Sequence, residues 1–461
     1  GREGRRAMRL LLLAAVFPPK GGPGAIRYAH LTHYWARAGH VVDVVTSSVG
    51  WHDDSRLSEL LDVQGLNVFR VEGPNVGAWV GAGVGASLGA GVGSRVGAGL
   101  GARVGGFLGT TLGSRLVPSL IEQLGRVGSL RDWLKDPSAN VGALRAVARG
   151  VKSVRDQVVI PDEQLVYVAG WVSELERLLK EEHYDALLTT SYPYSAHLAG
   201  AAVKMRHPDL RWVMELRDPW AGTRVRGRTA GPAASVDAAL ERFCVERADT
   251  VSVISDDMRE LYRERYPDAT LVVTPNGFEP GPPLAEPPTP PPYVFCYTGS
   301  FDHEVSPAAP VIEMLDHLLS QGVALEFKWA GTADLPSAEV LAQFDKRHPG
   351  VLEKLGQLPF SEVHTVREDS HFLVLTLTPG APVYTTKVFE YLDSGRPVVA
   401  LVGEGELRKL LDLLPHVVCE APQSAATLDA LLRRSARPPE FLDAHRYSSL
   451  AAELVSVLST A

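Results

Sequence analysis

Apolar residues fall along this chain in short blocks, and between the blocks they recur every three or four positions. Residues 8–16, MRLLLLAAV, form the first block and end at Phe17-Pro18-Pro19. A run that short, without polar alternation, predicts a strand covered on both faces, as in a parallel sheet. A glycine turn over 17–25, FPPKGGPGA, leads to a helical pattern at 26–38, then to Gly39-His40 and a second strand at 41–46. The rhythm resumes at 130–180, where a helical pattern sets Trp171, Leu175, Leu178 and Leu179 on one face. Strands are predicted at 184–190, 212–216, 250–254 and 270–274, a polar loop at 191–197, and helices at 196–204, 236–247 and after a Ser255-Asp256 cap.

The proline-rich stretch 280–292 interrupts this alternation and reads as a semi-rigid spacer. Beyond it the pattern restarts, with strands at 293–298, 324–330, 372–377 and from Pro397, and helices at 307–319, from Phe360, from Thr385 or Thr386, and at 447–458. Strict alternation of strand and helix predicts an α/β protein built on doubly wound parallel sheets. A chain of 461 residues exceeds one core and predicts two large domains, at 8–279 and 293–440, with a terminal helical segment at 441–461.

One segment breaks the pattern. Between Gly77 and Gly113 glycine returns at every fourth position, mostly preceded by Val or Leu, within a glycine-rich segment at 75–115. In a helix a step of four drifts round the axis, and each glycine costs about 1 kcal/mol relative to alanine, so a stable helix in water is not expected. A low-complexity insertion on the surface is the expectation. The alternative is a small-x-x-x-small contact with a membrane or a second copy.

Composition narrows the class. The net charge of −8 carries no strong blocks, which leaves no electrostatic footprint for nucleic acid. Cys244, Cys296 and Cys419 are isolated, which fits neither a disulfide framework nor paired zinc ligands and suggests a reducing cytoplasm. Arg2, Arg5 and Arg6 ahead of the first apolar block imitate a signal peptide, but no small-residue cleavage site follows, so the block is read as a strand. Met8 is then a candidate start, with the residues before it a tag or extension. His30, His33, His40 and the His52-Asp53-Asp54 run converge with no further ligands by spacing, and no metal is expected.

The densest chemistry lies at 383–401, VYTTKVFEYLDSGRPVVAL. Thr385 and Thr386 are candidate caps for a helix whose free N–H groups and positive dipole end favour a phosphate. Lys387 adds a full charge in that first turn, and Glu390, three residues on, lies on the same face. A cation for phosphates beside a carboxylate for hydroxyls describes half of a nucleotide-sugar site; the alternative is an intrahelical surface pair. Gly21-Gly22 follows the first strand at its carboxyl end, where open α/β sheets bind ligands, and its backbone can approach a diphosphate. The spacing is not the dinucleotide fingerprint, and a plain tight turn is the other reading. The loops at 191–197 and at Arg217-Asp218-Pro219-Trp220 share that edge, with Arg217 and His197 open to structural or functional roles.

Several phrases occur in register. Lys387-Val388-Phe389-Glu390-Tyr391 precedes Gly395-Arg396-Pro397-Val398, SYPYSAHLAG at 191–200 precedes ELRDPW at 215–220, and Pro275-Asn276-Gly277-Phe278 closes the first half. Together with Gly21-Gly22 they resemble glycosyltransferase family 4 of the GT-B fold, over almost the whole chain outside the glycine segment. The resemblance implies two Rossmann-like domains facing a cleft, the terminal helix crossing back to the first. It also implies metal-independent sugar transfer, with retention, from a nucleotide diphosphate sugar that is a substrate rather than a cofactor. Lys387 and the Gly21-Gly22 backbone would hold the diphosphate beside Thr385 and Thr386, and Glu390 the ribose hydroxyls. Arg217 stands where many relatives carry a histidine. The acceptor, lipid-linked or small, is unknown; a place in glycan or cell-envelope synthesis and peripheral contact with the inner membrane face fit this reading.

The chain also departs from the family. Pro382 occupies the position of the first glutamate of Glu-x(7)-Glu, and the basic residues that relatives carry after the Gly299 turn are replaced by SFDHEVS at 300–306, whose Asp302 and Glu304 would repel a diphosphate. An alternative from another class is therefore a catalytically silent GT-B protein that binds a sugar nucleotide or a partner, with a nucleotide-sugar epimerase as a third reading.

Overall fold

The computed structural model describes residues 6–48, 55–73, 160–222, 230–281, 284–358, 360–379, 386–434 and 440–459. The glycine segment, the His52-Asp53-Asp54 run, Pro382 and Thr385 lie outside them. The chain divides into a unit of residues 1–72 and 167–461 and a second of 73–166, and the following concerns the first.

Two parallel sheets form this unit. The first contains β1 (Arg9–Leu13), β2 (Val41–Ser47), β3 (Leu66–Val71), β4 (Ala186–Thr190), β5 (Arg211–Leu216), β6 (Thr250–Val253) and β7 (Leu271–Val273), in the order β3-β2-β1-β4-β5-β6-β7. The second contains β8 (Tyr293–Thr298), β9 (Leu325–Ala330), β10 (Leu352–Gly356), β11 (Phe372–Leu377), β12 (Val398–Val402) and β13 (Val417–Val418), in the order β10-β9-β8-β11-β12-β13. Both are Rossmann-like and doubly wound. In each the order reverses once, between β1 and β4 and between β8 and β11. Loops after those strands run to opposite sides, and such reversal points are where open α/β sheets bind ligands.

The predicted apolar blocks are the sheet centres. Leu10, Leu11, Leu12 and Leu13 are all buried because helices cover β1 from both sides. One side packs Trp171, Leu175 and Leu178 of the helix Val168–Glu181. On the other, Tyr28, Leu31 and Trp35 of the helix Pro23–Arg37 meet Leu450, Leu454, Val455 and Leu458 of the terminal helix Tyr447–Ser459. Trp35 Nε1 donates to the carbonyl of Ala451 at 2.8 Å, so the last helix seals the face of the first sheet. The second sheet has its own core on each side.

Some boundaries differ from expectation. The loop predicted at 191–197 is shorter, because its helix already starts at Ser195. The helix predicted at 236–247 begins at Pro232, whose fixed φ suits a first helical turn. The edge strands β3 and β10 and the helix Leu335–Arg347 have no counterpart in the sequence reading.

Candidate functional site

In the second sheet the switch point is framed by Gly299, which follows β8, and by the helix Lys387–Asp393, which follows β11. Gly299 has φ 135°, and a Cβ on it would lie 2.5 Å from Lys387 Nζ, so the lysine rests on bare backbone. Nζ donates to the Tyr297 hydroxyl at 2.8 Å and stands 4.2 Å from that ring's centroid. Burial pushes the ammonium down to about 7, against the pull of Glu390 and with a further push from Arg367. Glu390 Oε2 lies 2.6 Å from Arg367 Nη2, on the helix Phe360–Glu368. The same Nη2 reaches Thr298 Oγ1 at 3.2 Å, and the guanidinium lies 5.2 Å from the Tyr391 ring centroid. Lys387 and Glu390 are thus neighbours, each held by a partner that the sequence did not suggest.

The expected threonine cap is not formed at Thr386. That residue is the N-cap of the seven-residue helix but has φ −55° and ψ −29° and makes no side-chain cap bond. A capping hydroxyl needs extended backbone to reach the N2 or N3 amide, and Thr386 is already helical. In the same stretch Gly395 adopts φ 70°, which accounts for the glycine, and Arg396 donates to the carbonyls of Glu368, at 3.0 Å, and Ala285. Arg396 is a tie to the spacer rather than a site residue.

In the first sheet Gly21-Gly22 leads into the helix Pro23–Arg37, with Gly22 as N-cap at φ 122° and open space where a Cβ would stand. Arg217, after β5, crosses the end of β4 and donates through Nε to the carbonyl of Ser191. Its guanidinium lies against Gly24, so Arg217 and the glycine loop share one edge. Beneath them Glu215 is fully buried and bound by Arg27 at 2.9 Å, Tyr28 at 2.5 Å and Thr190 at 2.7 Å. Arg27 also reaches the carbonyl of Pro275 at 2.8 Å, which fixes the Pro-Asn-Gly turn. His197 is a packing residue beside Trp220: its Nδ1 lies 2.8 Å from Thr189 Oγ1, and burial pushes it down to about 3, so it stays neutral.

The two halves meet at Tyr447. Its buried hydroxyl is raised above the usual phenol range by burial, and Arg27, Glu390, Arg217 and Glu279 all act on it electrostatically. His30 stacks on this ring at 4.9 Å, while His33 Nδ1 contacts the carbonyl of Leu60 and His40 Nδ1 accepts from the amide of Met8. In the acidic loop after Gly299, Asp302 accepts from the amides of Glu304 and Val305, and His303 pairs with Asp334. Part of the negative charge expected to repel a diphosphate is therefore satisfied locally. Among the described residues one group has metal-ligand proximity, Asp302, His303 and Asp334, with ligand atoms within 4.8 Å. Their mutual and capping bonds already occupy them.

Two doubly wound sheets with polar groups gathered at both switch points define a GT-B fold protein. Residues 123–277 match the model of the glycosyl transferase 4-like domain. Among solved structures the chain is similar to sucrose-phosphate synthase from Thermosynechococcus elongatus, at 15% identity over 98% of both chains with a TM-score of 0.57. It is similar to the Anabaena protein HepE in complex with UDP and glucose, at 13% identity over 99% of this chain and 100% of that one, TM-score 0.55. It is also similar to an Escherichia coli trehalose-6-phosphate protein bound with UDP-2-fluoroglucose, at 12% identity over 98% and 99%, TM-score 0.56. No curated protein sequence matches the chain. The family match is thus confined to residues 123–277, and the likeness over the whole chain is one of GT-B fold.

Proposed function

We propose that this chain transfers a sugar from a nucleotide diphosphate sugar to a lipid-linked or small-molecule acceptor, as a metal-independent hexosyltransferase that retains the anomeric configuration. The observation that carries this reading is that Glu390 from one switch point and Arg217 from the other both act on the buried Tyr447 hydroxyl, with Lys387 resting on the Gly299 turn and Arg217 lying against Gly24. Residues 8–279 act as the acceptor side and 293–440 as the nucleotide-sugar side. The chemistry requires stabilisation of a departing diphosphate and of an oxocarbenium-like sugar, so positioning and fixed charge are the protein's tools. Lys387 and the glycine-loop amides hold the diphosphate, Glu390 holds the ribose hydroxyls, and Arg217 supplies charge that residues 300–306 lack. HepE and the E. coli protein carry UDP and UDP-2-fluoroglucose, which favours donors of this class. The donor is a substrate, and no cofactor is needed. Among the described residues no helix is long and apolar enough to cross a membrane, and a cytoplasmic place peripheral to the membrane suits a lipid-linked acceptor in glycan or envelope synthesis.

The test is a thermal-shift and calorimetric screen against UDP, GDP, ADP, TDP and their sugar conjugates, with Glu390→Ala and Lys387→Ala alongside. Stabilisation by one nucleotide, lost in both variants, is the expected result; no binding by any of them would sink the proposal. One observation favours a catalytically silent protein instead: Glu390 is already ion-paired and Lys387 is folded onto Tyr297. A donor that binds yet is neither hydrolysed nor transferred would select that reading.

A further inference from the structure

We infer that Arg367 is a positioning residue for the donor: it pins one oxygen of Glu390 so that the other is presented to the ribose hydroxyls of a nucleoside diphosphate. The inference rests on the donor reading above and adds a residue that the family resemblance does not supply.

The geometry of the pair carries the argument. Where a guanidinium and a carboxylate serve only to join two elements, the favoured arrangement is bidentate, two parallel bonds using both oxygens. Here a single nitrogen, Nη2, holds a single oxygen, Oε2, at 2.6 Å. Arg367 Nε is buried with no hydrogen-bond partner among the described residues, so the guanidinium is not turned to strengthen the pair. No described residue hydrogen-bonds Oε1, and the Glu390 side chain keeps 19% of its surface open. One oxygen is fixed and the other is free to accept.

Arg367 is itself held in place. It is 9% exposed, with Nη2 shared with Thr298 Oγ1 and its plane near the Tyr391 ring. The Tyr391 hydroxyl in turn accepts from the Thr298 amide at 3.0 Å. Thr298 immediately precedes Gly299, so the arginine is anchored at the base of the turn against which Lys387 rests. A carboxylate clamped this way has lost its rotamer freedom before the ligand arrives, which lowers the cost of binding. A vicinal diol is the ligand chemistry that a single presented carboxylate oxygen suits.

The test compares UDP, GDP and ADP with their 2′-deoxy forms by calorimetry on the full chain, as wild type, Glu390→Ala, Arg367→Met and Arg367→Lys. For the nucleotide that binds, wild type should favour the ribose form by about tenfold, the worth of a hydrogen bond to a charged group. Arg367→Met should bring that ratio near one while the 2′-deoxy affinity stays within about twofold, and Arg367→Lys should restore part of it. Equal weakening of both forms, or an unchanged ratio, overturns the inference and leaves the donor reading standing. A wild-type ratio of one with binding that still needs Glu390 also overturns it. No nucleotide binding to wild type removes the donor reading and this inference together. Should Arg367→Met fail to fold, Arg367→Lys and Arg367→Gln, which keep a donor at the site, are judged by the same ratio.

Discussion

Arg217 and Gly24 touch across the end of the first sheet: a methyl group on the glycine would stand 2.5 Å from Arg217 Nη2. The strand that carries the arginine is separated from β1 by β4, so the side chain spans a neighbouring strand to reach the glycine loop. That contact makes Gly24 a handle on Arg217.

Gly24→Ala should displace the guanidinium and leave the fold intact. The obstacle is the far end of a flexible side chain, and alanine suits the first turn of a helix by up to about 1 kcal/mol over glycine. Thermal unfolding should therefore be unchanged or slightly improved. Nucleotide affinity, measured by calorimetry, should fall about tenfold, the worth of one charge-assisted hydrogen bond; a Gly24→Ala protein with wild-type affinity would remove Arg217 from the site.

Glu215→Ala should be among the most destabilising changes in the first sheet. It leaves the Arg27 guanidinium, 2% exposed in its side chain, without its carboxylate. Breaking one side of a buried pair costs about 3–5 kcal/mol. Arg27→Met combined with Glu215→Leu removes both charges and should recover much of that loss in urea unfolding. If the single and double variants unfold at the same urea concentration, the pair is not what stabilises this region.

Nucleotide binding should take up a proton above neutral pH. The free protein holds Lys387 down to about 7, because burial disfavours its charge. A diphosphate beside Nζ restores the ammonium, so affinity falls as pH rises beyond 7, by up to about tenfold per unit. Calorimetry at pH 8 in buffers of different ionisation enthalpy should register the uptake, and Lys387→Met should abolish it. Stability moves the opposite way. The unfolded lysine binds its proton up to its ordinary value of 10.5 while the folded one has lost it above about 7, so this group's contribution to stability rises with pH across that window.

Leu454→Ala should weaken the first sheet although residue 454 follows the second in sequence. Leu454 is fully buried with Leu10, Leu12 and Trp35, and such truncations cost about 2–5 kcal/mol. Tryptophan fluorescence should report the loss at lower urea than in wild type; coincidence with wild type would mean the terminal helix adds little to that core.

Strands covered on both faces were legible because burial leaves an unbroken apolar run: residues 293–298 and 372–377 were located to the residue. Edge strands were not, since β10, LEKLG, is exposed over most of its length and carries no such run. The doubly wound parallel sheets followed from the rhythm of strand and helix, whereas GT-B was implied only by the resemblance of phrases such as Lys387-Val388-Phe389-Glu390-Tyr391 to family 4. That Lys387 and Glu390 would be neighbours was legible because three-residue spacing on a helix puts both on one face. Arg367 was not, because nothing in FSEVHTVRE distinguishes a buried clamp from a surface arginine. The failed Thr386 cap shows the limit of residue type, since a hydroxyl caps only from extended backbone.

The helix Tyr447–Ser459 lies on residues near the other end of the chain, with Trp35 bonded to Ala451. On the ribosome the first sheet therefore emerges long before its cover does, with the apolar face of β1 and of its following helix exposed to solvent or to a chaperone. The second sheet, made later, has all its own core residues by the time residue 442 appears. The core of the second sheet is thus available to close while one face of the first still lacks the cover that residues 447–459 bring.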